Sequence, residues 1–86
     1  MNAASAGPYV VRSPFVGVFL RRLSPDSAPL VEPGSVVAEG QSVCVVEAMK
    51  LLNEVEAEQP GVVEQILVED GAQVEFGQAL IEVRAS

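Results

Sequence analysis

Glu47-Ala48-Met49-Lys50 holds the only lysine of an 86-residue chain that also has no histidine and a single cysteine. Without histidine there is no imidazole to act as a general base in a nucleophilic triad, and one cysteine alone cannot build the usual zinc site. No phosphate-binding Walker loop and no dinucleotide fingerprint occurs in the sequence. The carboxylates Glu47, Glu54, Glu56, Glu64, Glu69 and Glu82 are spread along candidate strands, the pattern of a solvated face rather than of an acid/base pair. What remains is the amine. A primary amine on a four-carbon stem is the one side chain here that can accept a large acyl group as a stable amide. Most lone lysines are simply solvated, and composition alone favours that reading.

The elements that would present this lysine are two apolar runs, Val43 to Val46 before it and Leu51 to Ala57 after it. Both read as strands, which puts Lys50 at the tip of the hairpin joining them. A two-residue hairpin prefers Asn-Gly or a similar pair, because both central residues need positive φ. Met49-Lys50 breaks that preference, as functional positions often do. Such a turn costs roughly 1 to 3 kcal/mol in local strain.

Sliding the chain against itself shows a repeat: the 13 residues from Val31 to Val43 match those from Val68 to Leu80, with Gly34 aligned to Gly71 and Gly40 to Gly77 at an offset of 37. Turn signals this close together belong to β-rich architectures. The expected fold is therefore all-β: a flattened barrel or sandwich of two four-stranded sheets with pseudo-twofold symmetry and Lys50 on a hairpin turn. Apolar alternation nominates Val18, Val36 or Val37, Val43, Val45, Val55, Val62, Ile66, Val74, Leu80 and Val83 as core. The paired glycine strands, Gly17-Val18-Phe19 and Gly61-Val62-Val63, are offset by 44 rather than 37, so the first half is longer by seven residues. The excess falls at Ser24-Pro25-Asp26-Ser27-Ala28-Pro29-Leu30, where two prolines exclude a central strand and stiffen the excursion. Before the first strand, residues 1–8 are small, polar and end in Gly-Pro, the composition of a flexible linker. The domain is expected over 9–84, with the excursion at about 22–30 and a short tail at 85–86.

A net charge of −7, from twelve acidic residues against five basic, disfavours nucleic acid and anionic membrane surfaces and favours basic partner surfaces. No apolar run approaches the ~20 residues that span a bilayer, and the N-terminus lacks the basic and apolar regions of a signal peptide. Cys44 has no partner for an internal disulfide and reads as a small buried apolar residue.

In register with the repeat, Glu47-Ala48-Met49-Lys50 resembles the acceptor motif of biotinyl domains, in which biotin is attached to the lysine. Arg12-Ser13-Pro14 with Val16-Gly17, Ser24-Pro25-Asp26, and Gly61 ahead of Ile66-Leu67-Val68-Glu69 extend the likeness from about Tyr9 to Arg84. It is strongest to the C-terminal biotinyl domains of biotin carboxyl carrier proteins of acetyl-CoA carboxylase. The resemblance implies covalent biotin on Lys50, with Glu47, Ala48 and Met49 as the recognition motif and Met49 as an exposed partner contact. It also implies that the excursion is the thumb of these carriers, with Ser24, Pro25 and Asp26 in it, able to fold over part of the biotin. The implied partners are biotin protein ligase, biotin carboxylase and carboxyltransferase. The implied role is a non-catalytic carrier that moves a carboxyl group toward malonyl-CoA and fatty-acid synthesis, in bacterial cytoplasm or plastid stroma, with the isolated domain monomeric. Leu51 and Leu52 replace a methionine often found after the lysine, a swap that conserves volume. Arg22 stands where bacterial carriers often have a small polar residue. Three alternatives remain open at this level: a biotinyl domain of another carboxylase, a lipoyl carrier, or an interaction domain with an unmodified lysine. Met49 and the insert both oppose the lipoyl reading, whose motif is usually Asp-Lys-Ala.

Overall fold

The computed structural model describes residues 7–85, and within them the repeated glycine turns set the layout. Eight strands follow in order: β1 (Tyr9–Arg12), β2 (Gly17–Leu20), β3 (Val36–Val37), β4 (Ser42–Ala48), β5 (Leu51–Glu56), β6 (Gly61–Ile66), β7 (Gln73–Val74) and β8 (Ala79–Arg84). They form two antiparallel four-stranded sheets, ordered β1-β8-β6-β3 and β5-β4-β2-β7. No helix is assigned among the described residues, and hence none long and apolar enough to cross a membrane. Overall extents of 40 × 26 × 19 Å give the flattened shape that valine-rich sheets packed face to face require. The linker expected over 1–8 lies outside the described residues except for Gly7 and Pro8.

Replacing β5, β4, β2 and β7 by β1, β8, β6 and β3 turns one sheet order into the other, which is the pseudo-twofold. It also holds bond by bond. Gly34 N–H donates to the Val63 carbonyl at 2.8 Å, and Gly71 N–H to the Phe19 carbonyl at 2.7 Å. Gly40 N–H reaches the Ala57 carbonyl at 2.8 Å as Gly77 N–H reaches that of Ser13 at 2.7 Å. The four turn glycines have φ of 95°, 84°, 89° and 81°, a region that L side chains avoid. Gln41 and Gln78 cap equivalent turns, their Oε1 atoms accepting from Ala38 N–H and Glu75 N–H at 3.0 and 2.8 Å. Each sheet nevertheless draws strands from both halves of the chain, so neither half could form its own core.

The core is mainly valine around Phe19, Leu80 and Ile81. Val37, Val43, Val55, Val74, Leu80 and Val83 are in the core as the alternation indicates, whereas Val45 is buried outside the core cluster. The glycine strands correct the reading by one residue: Phe19 and Val63 point inward, whereas Val18 and Val62 are only half-buried and Ile66 packs at the core margin. The face is set by Gly17 and Gly61, which are buried but carry no apolar signal. A Cβ on Gly17 would stand 2.3 Å from the Glu47 carbonyl oxygen, and one on Gly61 2.6 Å from that of Arg84. These close approaches draw β2 onto β4 and β6 onto β8.

Candidate functional site

The β4–β5 hairpin is paired without interruption from Val45 opposite Glu54 to Ala48 opposite Leu51, leaving Met49 and Lys50 as its two-residue loop. Their φ values are 53° and 67°, the only positive values at non-glycine positions among the described residues. This is the strained turn expected from the sequence, held by four successive cross-strand pairs beneath it. Met49 is 93% exposed, Lys50 is exposed, and Leu51 and Leu52 stand out beside them. The only ion pair among the described residues joins Arg84 to Glu64, so Lys50 is not held by a carboxylate. Glu47 and Ala48 are half-buried in the last rungs, Glu47 lying between Val18 and Leu52. An amine presented this way can meet an activated acyl group in another protein's active site without any part of this domain moving aside.

The excursion leaves β2 at Arg21 and closes at Leu30, whose N–H donates to the Arg21 carbonyl at 2.8 Å. Asp70 anchors the neck by accepting from Arg21 N–H at 2.8 Å, and an Nη2–H of Arg21 reaches the Val31 carbonyl at 3.1 Å. At the tip, Ser24 to Ser27 form a turn with Pro25 as its first central residue: Ser27 N–H donates to the Ser24 carbonyl at 3.1 Å, and the two hydroxyls lie 2.6 Å apart. Arg22 spans the loop, an Nη1–H donating to the Ser27 carbonyl at 3.2 Å, while its Nε is buried without a partner.

What the excursion covers is visible in Val45. On β4, Cys44 and Val46 face the core, while Val45 pairs with Leu20 and Glu54 on the outer face, stays outside the core cluster, and is still fully buried. The excursion therefore lies back over the outer face of its sheet. Between it and β5 runs a groove of about 310 Å³ lined by Leu20, Arg22, Leu23, Ser24, Pro25, Leu52 and Asp70. Leu52 is two residues beyond Lys50, about 7 Å along a strand, so the groove is within reach of a lysine side chain lengthened by an acyl group.

Of the residues nominated from sequence, Lys50, Met49, Ala48 and Glu47 come together at the hairpin, and Ser24 and Pro25 line the groove. Asp26 is exposed on the turn and does not line it. Sequence reasoning missed Leu20, Leu52 and Asp70. A signal existed for Leu20: its repeat partner is Glu64, so an apolar residue replaces a charged one beside the insert. Cys44 is fully buried, and desolvation pushes its thiol up to about 12, which marks it as inert packing.

The fold is that of a small two-sheet domain, with a lysine-tipped hairpin where the first half ends and Tyr9 and Arg84 at the equivalent place of the second. The family model described as "Biotin-requiring enzyme" matches residues 9–83, and the chain belongs to that family. It is 54% identical over 74 residues to the biotin carboxyl carrier protein of acetyl-CoA carboxylase of Pseudomonas aeruginosa, covering 86% of this chain and 47% of that protein. The corresponding protein of Haemophilus influenzae is 48% identical over 75 residues, covering 87% and 48%. The chain thus spans about half the length of the curated relatives it matches. Among solved structures, the urea carboxylase of Kluyveromyces lactis superposes with a TM-score of 0.75 at 29% identity, covering 88% of this chain and 6% of that one.

Proposed function

We propose that this domain carries biotin as an amide on Lys50 and serves as the carboxyl carrier of an acetyl-CoA carboxylase. The observation that supports this most directly is the sole lysine, exposed on a strained Met-Lys turn in a chain of this family. The groove fits such a group: Leu20, Leu23, Pro25 and Leu52 give it apolar walls, and Arg22, whose Nε is buried without a partner, is a donor among them. Biotin, when attached, supplies a ureido nitrogen that takes up a carboxyl group at one active site and gives it up at another. The chain's residues do the rest. Glu47, Ala48 and Met49 present the lysine to a biotin protein ligase, and the rigid sheets offer partners an invariant surface. The excursion, as a thumb, shelters the group between a biotin carboxylase and a carboxyltransferase. Tethering raises its effective concentration at both. We place the domain, monomeric by itself, in a bacterial cytoplasm or plastid stroma, with residues 1–8 as linker, 9–84 as the carrier body and 85–86 as tail.

A carrier in another biotin-dependent carboxylase is the second reading, supported by the likeness to urea carboxylase. Reconstitution with purified carboxyltransferases separates the two, since only the cognate one should turn over. For the attachment itself, intact mass with and without biotin ligase is decisive. The mass should rise by one biotinyl group, and Lys50→Arg should abolish both that rise and streptavidin retention with folding unchanged, because a guanidinium is a poor nucleophile. Retention of the Lys50→Arg protein on streptavidin would refute the assignment.

A further inference from the structure

We infer that Arg22 makes the thumb groove a holder for the loaded, anionic form of the carried group rather than for the empty one. The inference rests on the carrier reading above and asks what the groove distinguishes. Arg22 is the one cation lining it, beside the hairpin of a chain with net charge −7. Acylation removes the charge of Lys50, which leaves Arg22 as the local positive group. The carboxylates nearby would repel an anion: Glu47 and Glu54 share the outer face with Leu52, and Asp70 lines the groove. Asp70 does not neutralise Arg22, since the only ion pair among the described residues is Arg84 with Glu64. Of the five N–H donors of the Arg22 guanidinium, one bonds to the Ser27 carbonyl, and the Nε is buried without a partner. Donors of this kind bond more strongly, and in pairs, to a carboxylate than to the single neutral carbonyl of a ureido ring.

The consequence is chemical. Loss of the cargo breaks the nitrogen–carbon bond: carbon dioxide leaves with its carbon in the same oxidation state, and the electron pair stays on the ureido group, which takes a proton from water. Negative charge thus moves from carboxylate to ring as the bond breaks. A guanidinium on the carboxylate stabilises the charge where it starts and so slows the loss.

The test uses this chain biotinylated on Lys50, loaded by biotin carboxylase with ATP and ¹⁴C-bicarbonate, then freed of the loading enzyme. Label remaining on the protein is followed with time. Arg22→Gln should lose label about fivefold faster than the natural chain, the scale of one partly exposed charge-assisted hydrogen bond. Arg22→Lys should retain much of the protection. Arg84→Gln, which removes a cation at the far end, should not alter the rate. Raising salt from about 50 to 500 mM should erode the natural chain's advantage while leaving Arg22→Gln unmoved. The Arg22 Nε–H resonance should shift on loading and not on biotinylation alone. Equal loss from Arg22→Gln and the natural chain, or equal acceleration by Arg84→Gln, would overturn the inference, as would protection insensitive to salt, which would mean that thumb shape alone shelters the cargo. Failure to take up biotin or label at all would instead bring down the carrier reading and this inference together.

Discussion

In the first half of the domain Val45 lies fully buried beneath the excursion, whereas its counterpart 37 residues on, Glu82, sits half-buried on a half that lacks the seven-residue insert. The neighbouring pairs follow suit: Leu20 against Glu64, and Leu52 against Pro8 at the offset of 44. The second half has its own groove in the matching place, about 330 Å³ between Pro8, Tyr9, Val10 and the β6–β8 surface, but its polar lining is Glu64, Glu82 and Arg84. Two copies of one turn-and-strand plan have thus been given opposite outer faces, and the difference lies beside the Lys50 hairpin. The turns and inner faces stay equivalent because both serve one shared core. Only the outer face was free to diverge.

The largest break of that comparison comes from exchanging the outer residues. Val45→Glu should cost roughly 3 to 5 kcal/mol, because it places an unpaired carboxylate under the thumb or forces the thumb off. Glu82→Val should change stability by no more than about 0.5 kcal/mol, as surface substitutions away from ion pairs and caps usually do. Urea denaturation of both variants checks the contrast, and equal effects would mean that the thumb does not seal Val45. On the inner faces the halves should behave alike: Gly17→Ala and Gly61→Ala should each cost about 3 kcal/mol, since either Cβ meets a carbonyl oxygen across the sheet. Replacing Ser24 to Leu30 by the short connection of the second half should leave the fold and ligation in place. Re-exposing Val45 should still lower stability by about 1 to 2 kcal/mol. The ring-proton linewidths of attached biotin should narrow and malonyl-CoA formation should slow. Unchanged linewidths and turnover would reduce the thumb to a tolerated loop. The hairpin has no counterpart. Met49→Asn should stabilise the turn by about 1 kcal/mol by suiting its positive φ, while ligation falls if Met49 is a ligase contact. A melting temperature that drops would contradict the strain assigned to this turn.

The repeat was legible because its glycines do work no other residue can do at φ near 90°, and it announced the sheets, the insert and the hairpin. The place of Lys50 on a hairpin turn was legible from the apolar runs on either side of it, and the lysine drew notice as the only one in the chain. The inward face of β2 was not. Val18, Phe19 and Leu20 are all apolar, so alternation is silent there, and Gly17, which decides the face, adds no hydrophobicity. The burial of Val45 was anticipated as core and found on the outer face under the excursion, because a strand covered on both sides shows an unbroken apolar run without saying what covers it. Asp70 could not be found from periodicity, since it acts through one backbone N–H of a residue 49 positions away.

The direction of β1 carries a mechanical consequence. From Tyr9, paired with Val83, β1 runs toward Ser13, and β2 then starts beside the hairpin, with Val18 opposite Glu47. Covalent attachment to any neighbouring polypeptide through Tyr9 or Arg84 therefore lies at the end remote from Lys50. The body, up to 40 Å long, acts as a rigid boom. Small rotations at its pivot sweep the lysine through wide arcs.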